Sequence, residues 1–261
     1  MGVIAYKRKS MKRANWEKMQ QKEYSSSYLK EKIERNEKPN TYPRTRIIQF
    51  KRFFLSRELY GALAFFFAAQ LAIVTIAAGQ KYENVAGALN LVGMLVGIIT
   101  IIFAVRTINA RQRVDPTRRR FRPARVLATF MTMMVSLLLV TFVYRQLGIA
   151  FSIQPNQASL DSLMDVFPVA MLFVMVIVSP VVEEVVFREL LPFATGPSYL
   201  SFGISSLIFV ALHAPFGVIG WTSYGILSAG FLYARLKDNN VYTAIAVHIL
   251  WNATTVVLGF L

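Results

Sequence analysis

VFPVAMLFVMVIVSPVVEEVVFREL, residues 166–190, runs for 17 residues without a charge and then places Glu183, Glu184, Arg188 and Glu189 within seven positions. A helix needs about 20 mostly apolar residues to cross a bilayer, so the run predicts a transmembrane helix. Ionisable side chains inside such helices are costly and rare, and their default interpretation is functional. The stretch therefore predicts a membrane-spanning helix that carries a functional group.

The rest of the chain has the composition of a polytopic membrane protein. Its 261 residues are 55% hydrophobic, with a mean hydropathy of +0.45. We predict an all-α transmembrane bundle of about seven spans, near 59–79, 86–105, 126–144, 166–191, 198–214, 217–236 and 241–261. The fifth span is short, and HAPFG follows it directly, so a bent or re-entrant segment across 192–220 is an alternative to two full spans.

Positive charge is concentrated at two places along the chain. Residues 1–58 hold 16 of the 29 Lys and Arg, and residues 106–125 hold another 8. Dense basic segments beside spans stay in the cytoplasm, which predicts a multi-pass membrane protein with a cytoplasmic N-terminus. We divide the chain into a basic arm at 1–58, three spans at 59–144 and a catalytic core at 166–261.

The basic arm ends in RTRIIQFKRFF, residues 44–54, which mixes cations with Ile and Phe. This pattern is typical of a juxtamembrane segment that binds anionic lipid, although a topology anchor is the favoured interpretation. The Arg-rich loop is read in the same way, and no nucleic-acid partner is expected. The chain has no cysteine, which excludes a disulfide framework, a thiolate metal site and a cysteine nucleophile.

Helical spacing separates the two adjacent carboxylates. Glu184 and Arg188 are an i,i+4 pair on one face, with the Glu at the favourable N-terminal position. Glu183 is offset from Glu184 by about 100° on a helix of 3.6 residues per turn and cannot easily share that partner. We therefore expect Arg188 to neutralise Glu184 and leave Glu183 available as a general base or acid.

The only two histidines of the chain also lie in predicted spans. Phe209 and His213 in FVALH are an i,i+4 pair, and so are His248 and Asn252 in HILWN. Each pair presents its side chains on one helix face. Converging from three helices, Glu183, both histidines and Asn252 would supply a base for water and donors for an oxyanion. An isolated His or Asn in a span is often a structural hydrogen-bond partner between helices.

These residues carry a specific resemblance. EEVVFR, FVALH and HILWN resemble, in order, the E-E-x-x-x-R, F-x-x-x-H and H-x-x-x-N motifs of the CAAX-protease and bacteriocin-processing family, also called Abi. The motifs cover about a third of the chain, residues 167–252. The sequence departs from the family at Glu189, where many members have Gly.

The resemblance implies an intramembrane endopeptidase, a hydrolase that cleaves a membrane-associated peptide or protein. It implies that Glu183 activates water with His213, and that His248 and Asn252 contact the scissile carbonyl oxygen or complete a metal site. Glu184 and Arg188 would then support the architecture, with Phe209 beside them.

Two mechanisms fit these residues. In one, His213, His248 and Glu183 bind a divalent metal such as Zn²⁺, which lowers the pKa of its bound water to about 7. In the other, no metal takes part, and Glu183 and His213 activate water directly. No H-E-x-x-H element is present to hold two ligands at fixed spacing.

Two other functional classes remain open at this stage. A non-proteolytic scaffold or regulator, of the bacteriocin self-immunity type, would use the same fold with an unused site. A proton-coupled transporter would also place Glu and His in spans, but no internal repeat is visible. The substrate is not indicated by the sequence.

Overall fold

The computed structural model describes residues 53–114, 120–149 and 168–259, and within these ranges all regular structure is helical and no strand occurs. The all-α prediction is therefore confirmed. Seven helices follow one another in the described ranges. They are α1 (Arg57–Lys81), α2 (Ala86–Val114), α3 (Pro123–Gln146), α4 (168–194), α5 (Tyr199–Leu212), α6 (Gly217–Asp238) and α7 (Val241–Gly259).

Local sequence signals explain where several helices begin and end. The Ser56 side chain accepts a hydrogen bond from the backbone N–H of Leu59 and caps α1. Pro123 occupies the first position of α3, where the missing N–H costs nothing. At the other end of α6, Asn239 has a φ of 45°, the left-handed conformation that often terminates a helix.

Five of these helices are long and apolar enough to cross a membrane: α1, α2, α3, α4 and α7. The chain is therefore a multi-pass membrane protein. Each of the seven predicted spans corresponds to a helix, but two of them differ from a simple span. The α6 segment contains Gly, Ser, Thr and Tyr along its length and charges at its end, which lower its hydropathy.

The predicted fifth span is the other exception. Helix α5 has 14 residues, which at 1.5 Å per residue gives about 21 Å, less than the hydrocarbon core of about 30 Å. It ends at Leu212, and Ala214 with a φ of 47° and Gly217 with a φ of 63° turn the chain into α6. His213, in this turn, lies beside Glu183, with its Nε2 atom 3.9 Å from Oε2 of the carboxylate.

Helix α4 is the centre of the bundle. In its most apolar 18-residue window 61% of the residues are buried, against 22% in each of α1, α2 and α3. Glycine allows α2 to approach it closely, because a Cβ at Gly97 would lie 2.9 Å from the Val178 side chain. The functional stretch of the sequence is thus enclosed by the other helices.

Two predictions lie wholly or largely outside the described ranges. These are the basic arm at 1–58 and its lipid-binding segment at 44–54. In the described part of the 106–125 segment, α2 continues to Val114, so Arg106 and Arg111 are on a helix and not in a loop.

Candidate active site

A cavity of about 350 Å³ opens between α1, α4, α5, α6 and α7. Its wall includes Glu183, His213, His248 and Asn252 together with Phe209, so it brings together residues from all three sequence motifs. The remaining wall is mostly apolar and includes Phe66, Ala69, Gln70, Ile73, Met175, Ser179, Phe187, Tyr224, Phe231, Trp251 and Thr255. A mostly apolar pocket with a few converging polar groups is typical of a ligand or substrate site.

Glu183 is the point on which both imidazoles converge. Its Oε2 atom lies 3.9 Å from Nε2 of His213 and 3.7 Å from Nε2 of His248. The Glu183 side chain keeps 25% of its surface exposed, and Oε2 has no hydrogen-bond partner among the described residues. Both distances exceed a direct hydrogen bond and leave room for a water molecule that contacts the carboxylate and an imidazole together.

The other nitrogen of each imidazole is held by an acceptor. Nδ1 of His213 lies 2.7 Å from the backbone oxygen of Phe209, and Nδ1 of His248 lies 3.0 Å from Oε1 of Glu184. A carbonyl oxygen only accepts hydrogen bonds, and so does an ionised carboxylate, so we assign the Nδ1 proton to both rings. Each Nε2 atom is thereby directed toward Glu183.

Aromatic rings fix the planes of the imidazoles. Phe231 stacks on His248 with ring centroids 4.1 Å apart, and Phe209 lies 4.4 Å from His213. Tyr224 covers His213 from the cavity side at 4.8 Å. These contacts hold the two imidazole rings in position.

Glu184 has a different environment from its neighbour. Its side chain has no exposed surface, one oxygen contacts His248, and the other lies 3.6 Å from Nε of Arg188. The guanidinium of Arg188 lies 4.7 Å above the Phe209 ring and donates to the Ser228 hydroxyl at 3.0 Å. Spacing alone predicted the pairing of Glu184 with Arg188, but the contact with His248 comes from the tertiary structure.

Asn252 contacts the backbone of α4. Residues Val174–Val178 form a π-helical turn, in which the N–H of Ser179 donates to the carbonyl of Val174. The carbonyl of Met175 therefore loses its usual donor, and the next candidate is Pro180, which has no N–H. The side-chain amide of Asn252 donates to this carbonyl at 2.8 Å and satisfies it.

The same arrangement recurs twelve residues later in α4. Residues Val185–Leu190 form a second π-helical turn, in which the N–H of Leu191 donates to the carbonyl of Val186. Pro192 cannot donate, so the carbonyl of Phe187 also has no helical donor. The hydroxyl of Ser205 donates to it at 2.7 Å. Two π-turns, each followed by proline, thus tie the helix that carries Glu183 to α7 and α5.

Glu189, the departure from the family pattern, is fully buried between two arginines. Its Oε1 lies 3.1 Å from Nε of Arg111 in α2, and its Oε2 lies 2.9 Å from an Nη of Arg235 in α6. Arg111 also lies 3.5 Å from Glu58 at the start of α1. This carboxylate therefore connects four helices near the end of α4, away from the residues that line the cavity.

The geometry also tests the metal alternative. Zinc needs its nitrogen and oxygen ligands about 2.0–2.2 Å away. Among the described residues, no group of three or more His, Asp or Glu side chains is arranged to hold a metal ion. Glu183, His213 and His248 come together as predicted from the sequence, but the mechanism proposed below uses these side chains alone.

Comparison with known proteins agrees with the motifs. Residues 165–254 match the model of the Rce1-like family, described as Type II CAAX prenyl endopeptidase Rce1-like, and the match includes every candidate site residue from Glu183 to Asn252. This part of the chain is therefore similar to the Rce1-like family. The three ordered motifs lie within the segment that resembles the Rce1-like family, and residues from all three meet at the cavity.

One curated relative extends the similarity beyond this segment. The chain is 28% identical over 144 residues to the UPF0177 protein YvdC of Lactococcus lactis subsp. lactis (strain IL1403), which covers 53% of this chain and 54% of the relative. The chain thus spans about half the length of that relative. No solved structure matches the chain.

Sequence reasoning did not identify four residues that define the site. Gln70 is an amide among mostly apolar residues near the middle of α1, and this pattern could have marked it as a candidate functional residue. Pro180 and Pro192 mark the two carbonyls without helical donors, but they do not indicate which side chain would supply the hydrogen bond. Ser205 has no distinguishing sequence pattern.

Proposed function

We propose that the protein is an intramembrane endopeptidase in which Glu183 activates water to hydrolyse a peptide bond. The observation that carries the proposal is the convergence of both imidazole Nε2 atoms on the partly exposed Glu183 carboxylate, 3.7 and 3.9 Å away, at the wall of a cavity. The similarity of residues 165–254 to the Rce1-like family supports the reaction class.

In the first step, water is held between Glu183 and His213. The carboxylate takes a proton from the water, and the oxygen attacks the carbonyl carbon of the scissile bond. The distances at the site allow one water molecule to contact both side chains. The rings of Phe209 and Tyr224 lie against the imidazole of His213 and hold it in position beside this water.

In the second step, His248 stabilises the oxyanion. In this step the ring carries a proton on each nitrogen, the second taken up from solvent before the substrate binds. Nδ1–H donates to the Glu184 carboxylate, and Nε2–H donates to the developing negative oxygen. Asn252 lines the same cavity and has a second amide hydrogen, because only one donates to Met175. The proton held by Glu183 then passes to the leaving amine nitrogen, and both products leave the cavity.

Glu184 and Arg188 act as positioning residues in this proposal. Neither lines the cavity, and both are fully buried. Glu184 fixes the tautomer and orientation of His248, while Arg188 balances the charge of Glu184. This arrangement resembles the carboxylate that orients the imidazole of a catalytic triad.

Purified protein reconstituted in lipid vesicles provides the test, with a set of short apolar quenched-fluorescent peptides as probes. We expect cleavage by the wild type, loss of cleavage with Glu183→Gln, and unchanged cleavage with Glu83→Gln, an exposed carboxylate outside the cavity. Cleavage that persists in Glu183→Gln would refute the role of this carboxylate. A biological effect that persists in Glu183→Gln cells would favour the scaffold interpretation.

We also propose that the protein lies in the plasma membrane with its N-terminus in the cytoplasm. The concentration of basic residues at 1–58 and 106–125 supports this orientation. The chain has no native cysteine, so a single cysteine can be introduced at exposed Glu83 or at exposed Tyr199. Each cysteine reacts with an impermeant reagent only when the reagent is added on the side of the membrane where the residue lies. We expect Glu83→Cys to react with an impermeant reagent added to intact cells. Reaction only after the membrane is opened would contradict this topology.

A further inference from the structure

The cavity contains two neutral polar side chains that the mechanism above does not use. Gln70 lies on α1, on a different wall from Glu183, and its side chain is exposed to the cavity. Ser179 lies on α4, one helical turn before Glu183, and is half-buried. Neither side chain takes part in a hydrogen bond or ion pair among the described residues.

The position of Gln70 is costly unless the amide has a polar partner. Helix α1 is one of the five helices that cross the membrane, and Gln70 stands near its middle between apolar residues. The hydroxyl of Thr75, on the same helix, donates to the backbone oxygen of Leu71 and is satisfied within the helix. Gln70 makes no such hydrogen bond among the described residues, and it lines the cavity together with Phe66 and Ile73.

Ser179 differs from six other hydroxyl residues of the bundle, each of which donates a hydrogen bond within its own helix. Thr75, Thr100, Thr132, Ser136, Thr222 and Thr254 each donate to a carbonyl four residues earlier in their own helix. The corresponding carbonyl for Ser179 belongs to Met175, and Asn252 already donates to it. The hydroxyl of Ser179 makes no hydrogen bond among the described residues, and Ser179 lines the cavity one helical turn from the residue proposed to activate water.

We propose that Gln70 and Ser179 bind the main chain of an extended peptide segment and hold it beside Glu183. A peptide backbone offers N–H donors and C=O acceptors in alternation, and a primary amide and a hydroxyl each pair with both kinds of group. Neutral side chains on two walls of an apolar cavity suit an uncharged backbone better than a charged substrate group. The inference rests on the proposed endopeptidase function and adds a substrate class, an extended main chain without a required charged side chain.

Because these contacts hold the substrate throughout the reaction, they contribute equally to the bound and transition states and act mainly on KM. We expect Gln70→Leu to raise KM by about 5- to 10-fold and Ser179→Ala by a smaller factor, with kcat changed less than about 3-fold. The matched controls are Thr75→Val on α1 and Ser136→Ala on α3, which remove hydroxyls that are satisfied within their own helices. Neither control should change KM.

The decisive experiment uses the best-cleaved quenched-fluorescent peptide and a series in which single backbone amides are replaced by esters. An ester removes one N–H donor without changing a side chain or the protein. At the position that contacts Gln70, we expect the ester to lower kcat/KM by about 5- to 10-fold in the wild type and to have no further effect in Gln70→Leu. Equal ester penalties in both proteins at every position, or an unchanged KM in Gln70→Leu, would overturn the inference.

The two proposals fail in distinguishable ways. If wild-type protein and Glu183→Gln protein both leave every peptide intact, the endopeptidase proposal fails, and the main-chain site fails with it. If the wild type cleaves, Glu183→Gln does not, and Gln70→Leu has a wild-type KM, only the main-chain site is wrong.

Discussion

Glu183 and Glu189 lie six residues apart on α4, and their surroundings are opposite. Glu189 has no exposed surface and contacts Arg111 and Arg235 at 3.1 and 2.9 Å. Glu183 keeps 25% of its side chain exposed, faces a cavity, and has an oxygen without a hydrogen-bond partner among the described residues. A carboxylate that is fully paired stabilises the arrangement of helices, whereas one left without a counter-charge beside two imidazoles is available for chemistry.

Removing the charge of Glu183 should produce the largest change. We expect Glu183→Gln to lower kcat by about 10²–10⁴-fold, because general-base catalysis typically contributes that much. Stability should stay at the wild-type value, since no described residue depends on Glu183 for a hydrogen bond. Cleavage rates and thermal unfolding of the same purified samples give both quantities. A large loss of stability would mean that this carboxylate has a structural role like that of Glu189.

Glu189→Ala should have the reverse effect. It leaves Arg111 and Arg235 buried without their shared carboxylate, and breaking a buried ion pair in this way costs about 3–5 kcal/mol. The free energy of unfolding in mixed detergent micelles measures the loss, with Glu83→Ala as the exposed control. Protein that remains folded should keep a wild-type KM. If the free energy of unfolding is unchanged, Glu189 does not have the structural role that distinguishes it from Glu183.

Ser205→Ala tests whether the π-turns of α4 depend on neighbouring helices. The substitution leaves the carbonyl of Phe187 without a donor, and a buried unsatisfied group costs about 1–3 kcal/mol. Thr132→Ala is the matched control, because its hydroxyl donates only within its own helix. We expect a lower free energy of unfolding for Ser205→Ala and little change for the control. Equal stability of the two variants would show that Phe187 finds another donor.

Metal removal should have the smallest effect. Because the described residues contain no group of three metal-binding side chains arranged to hold an ion, we expect exhaustive chelation to change kcat by less than about 2-fold. Elemental analysis of the treated protein establishes that metal has been removed before cleavage is measured. Loss of activity that Zn²⁺ restores would instead establish the metal mechanism.

The candidate site was largely predictable because its chemistry is rare in membrane helices. Glu183, His213, His248 and Asn252 stand out as polar residues among apolar ones, and i,i+4 spacing separates Glu184 from Glu183. Helix positions followed from apolar runs of sufficient length. The predicted fifth span was less accurate, because a pattern of apolar residues does not distinguish a full span from a shorter helix that ends inside the bundle.

The surroundings of Glu189 could not be predicted in the same way. Arg111 lies 78 residues before it and Arg235 lies 46 residues after it, and no local spacing connects them. From the positive-inside pattern, Arg111 is expected only to set the orientation of the chain in the membrane. In the structure it forms an ion pair with the buried Glu189. Glu184 is a similar case, since its contact with His248 spans 64 residues.

The sequence by itself determined that the protein is an all-α membrane bundle and which residues bring chemistry to it, because apolar length and the cost of buried charge are properties of each segment alone. The tertiary structure decided how the charges are shared and which polar groups remain free. Packing places His248 against Glu184, satisfies the Met175 and Phe187 carbonyls from other helices, and leaves Glu183, Gln70 and Ser179 facing one cavity. These outcomes depend on contacts between distant segments, and a hydrogen bond between two helices exists only once both are packed.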